Sequence, residues 1–201
     1  MKLLLLSLIV LLSACKETQV DADVGLYDPI PPAGSAFVRF INLTDGEYKP
    51  AISGKNYPVL SAGKISPYYV TPKGNAKFSD ELVQDIVPGR FYTLVKKDEY
   101  KFIQDKSNDN PMKATIAVYN FTAEPLTLKA RQGSVDIITD VPVKSMGSRD
   151  INAVKIDFSV YQNGKLTSNI DQKILERGNH YSFIFDGKKI RFVTATTNTR
   201  E

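Results

Sequence analysis

The 201-residue chain reads as an all-β protein made of two tandem β-sandwich domains of similar topology. Three observations predict this. Short runs rich in Val, Ile, Phe, Tyr and Thr recur at close intervals between Gly, Pro, Asn and Asp, as in sandwiches and barrels. No segment puts helix caps around a long face of 3.6-residue period. One strand pattern also occurs twice: Val38-Arg-Phe-Ile-Asn-Leu-Thr44 returns as Ile116-Ala-Val-Tyr-Asn-Phe-Thr122.

Residues 1–14 stand apart from the fold. Met1-Lys2 is followed by an apolar run, Leu3 to Leu12, broken only by Ser7, and then by Ser13-Ala14-Cys15. The run is too short to span a bilayer, and its small-residue end is that of a secretory signal. A cysteine directly after Leu-Ser-Ala is a lipobox. It predicts cleavage before Cys15, acylation of that residue and a periplasmic protein lipid-anchored to a membrane, with Lys16 favouring the outer one. Cys15 is the sole cysteine, so the exported fold relies on its core with no disulfide. Residues 15–26 are polar and acidic and read as a tether.

The first domain, residues 27–106, opens on a stretch holding three prolines and a glycine between Tyr27 and Gly34, which excludes helix. Ala36 to Leu43 is its first strand. Strands over Tyr48–Ser53, Val59–Ala62 and Ser66–Val70 follow the turn signals. Ala76 to Val87 fits either period, because Phe78, Leu82, Val83 and Ile86 also share a helical face. The strand reading is preferred, since the matching segment of the second copy, Ala153 to Tyr161, alternates Val154, Ile156, Phe158 and Val160. The polar run Asp105 to Pro111 is the boundary.

In the second domain, residues 107–201, strands are predicted over Leu126–Ala130, Val135–Thr139, Ala153–Gln162, Ile170–Leu175, His180–Asp186 and Ile190–Ala195. Asn163-Gly164 is the strongest hairpin signal in the chain. A second repeat supports the duplication: Val87-Pro-Gly-Arg-Phe-Tyr-Thr-Leu-Val95 matches Glu176-Arg-Gly-Asn-His-Tyr-Ser-Phe-Ile184. In each copy a charged turn and another apolar strand follow, so both copies end in a hairpin.

Charge and residue inventory exclude several functions. Setting aside Lys2, 25 basic residues face 22 acidic ones, interspersed, which gives no basic face for nucleic acid. Serine-type acyl transfer needs a nucleophile with a histidine to take its proton. The single histidine, His180, stands where the first copy has Phe91, so it reads as structural, and no Gly-x-Ser-x-Gly elbow is present. One histidine and an acylated cysteine cannot make a zinc site. Asp105 to Asp109 lacks the glycine and glutamate of a calcium loop. No catalytic residue, metal or cofactor is expected. Asn42-Leu-Thr44 and Asn120-Phe-Thr122 read as strand ends whose side chains bond the following turn. The candidate binding surface is Tyr57, Tyr68, Tyr69 and Lys73, tyrosines beside lysines that suit sugar rings, uronates or protein interfaces. Arg39 faces away from Val38 and Phe40. It suits a cross-strand carboxylate or an interface, the former being preferred.

Leu26-Tyr27-Asp28, Pro32-Ala33-Gly34-Ser35, Phe37-Val38-Arg39 and Asn42 resemble the start of the mature AlgF family of alginate biosynthesis proteins. The likeness continues through Ser66-Pro-Tyr68, Pro72 and Pro88-Gly-Arg-Phe-Tyr92. It implies two β-sandwich domains and a non-catalytic role in O-acetylation of an exopolysaccharide, alginate-like or cellulose-like. The implied partners are periplasmic and membrane acetyl-transfer proteins, and the polysaccharide itself. The lipobox departs from the ordinary cleaved signal of that family. The alternative is a glycan-binding module with no tie to acetylation.

Overall fold

A computed structural model describes residues 30–80, 82–107 and 109–198. The described chain is all-β. Its first half carries β1 (Ser35–Asn42), β2 (Ala51–Ile52), β3 (Lys55–Asn56), β4 (Tyr68–Pro72), β5 (Gly74–Lys77), β6 (Val83–Ile86), β7 (Phe91–Lys96) and β8 (Tyr100–Asp105). The second half carries β9 (Lys113–Asn120), β10 (Leu126–Ala130), β11 (Val135–Val141), β12 (Ser145–Asn152), β13 (Lys155–Gln162), β14 (Lys165–Ile174), β15 (His180–Phe185), β16 (Ile190–Thr194) and β17 (Thr197–Asn198).

The duplication is structural. Strand order β4-β1-β7-β8 in the first sheet repeats as β12-β9-β15-β16 in the second. In both, the central pair is parallel, with Val38 opposite Tyr92 and Ile116 opposite Tyr181. The expected terminating asparagines are buried and make the same bonds. Asn42 donates to the carbonyls of Gly46 and Leu60 and accepts from the amide and hydroxyl of Thr44. Asn120 donates to Glu124 and Val141 and accepts from the amide and hydroxyl of Thr122. The two tyrosines also match. Tyr92 accepts the Val87 amide at 3.0 Å and Tyr181 the Glu176 amide at 2.9 Å, each fixing the turn before its strand.

Four layers result. The outward face of the first sheet (Ala36, Val38, Phe40, Tyr92, Leu94) packs under the β2–β3 and β5–β6 hairpins and their loops through Ile52, Tyr57, Phe78 and Ile86. The outward face of the second sheet (Ile116, Val118, Tyr181, Phe183) packs on a third sheet, β11-β10-β13-β14, through Leu126, Leu128, Phe158 and Val160. The remaining faces of the two central sheets meet back to back through Ile41, Val95, Ile103, Ala117, Tyr119, Phe121 and Ile184. Strands β1, β7, β9 and β15 are therefore covered on both sides, which is why they read as near-continuous apolar runs.

Ala76 to Val87 is the hairpin β5–β6, as the strand reading expects. Asn163 and Gly164 both take positive φ and join β13 to β14. One expected strand does not form, and one strand was not expected. Val59–Ala62 forms no strand and contributes only an isolated bridge between Leu60 and Tyr48. Strand β12 went unseen because Ser145-Met-Gly-Ser-Arg-Asp-Ile-Asn152 has no apolar alternation. It pairs along its whole length with β9. Its Gly147 lies against Ile138 and Val141, where a Cβ would come within 2.8 Å of a methyl group, so the sheets approach closely there.

Each buried asparagine holds four bonds, so Asn42→Ala and Asn120→Ala should each cost about 2 kcal/mol or more in urea unfolding. Similar losses from the two variants are expected from the shared geometry. A negligible loss from either would mean that the turn closes without the side chain.

Candidate functional site

The tyrosine group does not form one surface. Tyr68 and Tyr69 lie on opposite faces of β4. Tyr68 is 2% exposed and faces the second sheet. Tyr57 is buried under the hairpin layer, its ring 4.8 Å from that of half-buried Tyr69 and its hydroxyl 3.3 Å from Thr71 Oγ1. The cause is that both faces of the first sheet are covered, and that β17 pairs along the edge of β4. Among the four residues only Lys73 is exposed. Cys15 lies outside the described residues.

The concentration of chemistry is instead between the back-to-back sheets. Arg39 projects from β1 and is 1% exposed. Its Nε donates to Thr93 Oγ1 at 2.9 Å, and Nη2 donates to Tyr119 Oη at 2.7 Å and Ser182 Oγ at 2.9 Å. Its guanidinium carbon stands 4.7 Å from the ring centre of Tyr68 and 5.1 Å from that of Tyr119. Asp105, at the end of β8, is 3% exposed. Its carboxylate accepts from Tyr68 Oη at 2.7 Å, Thr93 Oγ1 at 2.6 Å and Tyr119 Oη at 2.5 Å. Thr93 and Tyr119 thus each receive from the guanidinium and donate to the carboxylate. Cation and anion are joined through hydroxyls. Arg39 lies at the interface and reaches a carboxylate only through these hydroxyls, and Asp105, which opens the boundary run in the sequence, belongs to β8 and to this network.

The electrostatics agree with these roles. Burial alone opposes the charge on Arg39, but Tyr119, Tyr68 and the Asp105 carboxylate outweigh it and hold its pKa above the ordinary value. Burial pushes the Tyr68 and Tyr119 phenols up, so both stay protonated as donors. His180, opposite Thr115 at the start of β15, is half-buried and its Nε2 has no partner among the described residues. Burial pushes its pKa down to about 4, with Arg39 adding to the effect and Asp105 and Asp150 opposing it.

Three ion pairs rim this interface: Lys106–Asp150 at 2.6 Å, Lys144–Glu99 at 2.6 Å and Lys188–Asp45 at 3.3 Å. The latter two are exposed and contribute little. Lys97 donates to the carbonyl of Phe121 at 2.9 Å, tying the β7–β8 turn to the second half. Beside it a cleft of about 360 Å³ opens between the halves, lined by Thr44, Gly63 and Lys97 on one side and Asp186, Lys189 and Arg191 on the other.

The model of one family, described as "Alginate O-acetyl transferase AlgF", matches residues 9–182. The chain belongs to the AlgF family. Among its AlgF relatives, the alginate biosynthesis protein AlgF of Pseudomonas aeruginosa is 31% identical over 164 residues, 79% of this chain and 76% of that protein. Its counterpart in Pseudomonas fluorescens is 30% identical over 161 residues, 78% of this chain and 74% of that protein. A solved structure of the C-terminal domain of P. aeruginosa AlgF is 31% identical and covers 42% of this chain and 97% of that domain, with a TM-score of 0.36.

In this AlgF chain the described polar groups of the interface bond to one another. Ser182 accepts from Arg39, and no hydroxyl reaches His180 Nε2, so the described residues assemble no serine–histidine pair. The sequence could have flagged the network only through Arg39, a charge inside an apolar strand, and Asp105, a carboxylate closing another.

Arg39→Met and Asp105→Leu each leave an opposite charge buried alone and should each cost about 3–5 kcal/mol in denaturant unfolding. The double variant should be more stable than either single one, and an additive double loss would refute the coupling. His180 has a folded pKa below its unfolded value, so its neutral form stabilises the fold above about pH 6.5. That contribution should fade as pH drops toward about 4, where the folded histidine also takes a proton. Replacing it by the first copy's residue, His180→Phe, should flatten the pH–stability curve across that window.

Proposed function

We propose that this chain is a non-catalytic, lipid-anchored periplasmic adaptor in the O-acetylation of an exopolysaccharide, alginate-like or cellulose-like. It binds periplasmic and membrane acetyl-transfer proteins. The names of its relatives place alginate biosynthesis and O-acetyl transfer in the family. The observation that carries the adaptor reading is the interface: Arg39, Asp105, Tyr68, Tyr119, Thr93 and Ser182 are buried and bonded to one another. Residues 27–106 and 107–201 are proposed as its two domains, held by that interface. The anchor is proposed at Cys15 from the lipobox alone. The glycan-binding alternative loses its platform with the burial of Tyr57 and Tyr68.

Deleting the gene should leave the polymer made but under-acetylated. Unchanged acetyl content would sink the proposal. The purified chain should show no acetylesterase activity on a chromogenic acetyl ester, and turnover lost in His180→Ala would restore the enzyme reading. Cys15→Ser should move the protein from the membrane fraction to the soluble one.

A further inference from the structure

We infer that the C-terminal segment, Ala195 to Asn198, is a clasp that locks the two halves into one cooperative unit. Its path carries the inference. The Ala195 amide donates to the carbonyl of His180 in the second sheet at 2.8 Å. The next residue, Thr196, accepts the Tyr68 amide of the first sheet, also at 2.8 Å. Consecutive residues thus join two sheets. Thr197 and Asn198 then pair in parallel with Tyr68 and Tyr69 and become the outer strand of the first sheet.

The strand so gripped is β4, which holds the network. The Tyr68 hydroxyl donates to Asp105 and its ring stands beside the Arg39 guanidinium. Holding the Tyr68 backbone from outside fixes where its side chain meets both charges inside. The clasp is also absent from the repeat: β12, the counterpart of β4, ends its own sheet with no further strand among the described residues. The added strand is therefore a feature of the joined pair. Two parallel residues are weak alone, and the pairing relies on the short tether from β16. Without it the outer edge of β4 carries unpaired amides and carbonyls. This inference is independent of the proposed function.

Amide hydrogen exchange read residue by residue tests it in two ways. In the full chain the Tyr68 amide, whose acceptor is Thr196, should be protected to the level of the β7 amides. Protection far below that level would show a fraying tail and overturn the clasp. In a chain ending at Thr194, protection of Tyr68 should fall by roughly tenfold or more, and the β7 and β15 amides should open at separate rates instead of through one common opening. A shortened chain with unchanged protection and a single opening would equally overturn it. If the shortened chain fails to fold, the full-chain measurement decides alone.

Discussion

The structure turns on one buried pair of opposite charges whose bonds are relayed by hydroxyls. Arg39 and Asp105 are almost fully removed from water, and either alone would be costly there. Each instead makes three hydroxyl contacts, two of the hydroxyls being shared. The groups come from β1, β4, β7 and β8 on one sheet and β9 and β15 on the other. A one-residue slip of any of these strands within its own sheet would turn its side chain to the opposite face. Apolar contacts such as Ile41, Val95 and Ile184 press the sheets together, while the network selects one register among those they would tolerate.

The duplicated architecture explains how such an asymmetric interface arises from two similar sheets. The faces packed on their own outer layers stayed alike: Val38 and Phe40 match Ile116 and Val118, and Tyr92 matches Tyr181. The faces turned toward each other diverged. Arg39 has Ala117 as its counterpart, and Asp105 has Ala195, which bonds to His180 as Asp105 pairs with Phe91. The second copy thus carries small apolar residues where the first carries the two charges. Thr93 and its counterpart Ser182 both keep a hydroxyl, and each now bonds the same guanidinium.

This division also governs what was legible in the sequence. Inner-core faces follow hydrophobic period and turn residues, so β1, β7, β9, β10, β13 and β15 could be read directly, and the repeat of Asn42 in Asn120 foretold a shared local bond set. Strand β12 was silent because it lacks apolar alternation, only Met146 and Ile151 being large apolar residues packed against the cores. The tyrosine surface failed for a different reason. Alternation assigns Tyr68 and Tyr69 to opposite faces, but one sequence does not say that a second sheet will cover the face that strand alternation leaves free. Arg39 and Asp105, charges set in apolar strands, were the visible signs of that second cover.

That second cover also bears on mechanism. A buried arginine, carboxylate and histidine within one region look like a site when viewed as an inventory. Viewed as bonds, the two charges share the Thr93 and Tyr119 hydroxyls, and the half-buried histidine is held neutral at the margin. What the interface sets is the relation between surfaces on opposite halves. Lys97 on the β7–β8 turn reaches the Phe121 carbonyl, and Arg191 on β16 lies close against Gly63, where no Cβ would fit without moving it. The cleft between these turns is built by both halves and exists only while they stay docked. The buried charges thus fix the spacing of the surfaces that flank this cleft, whichever partners those surfaces meet.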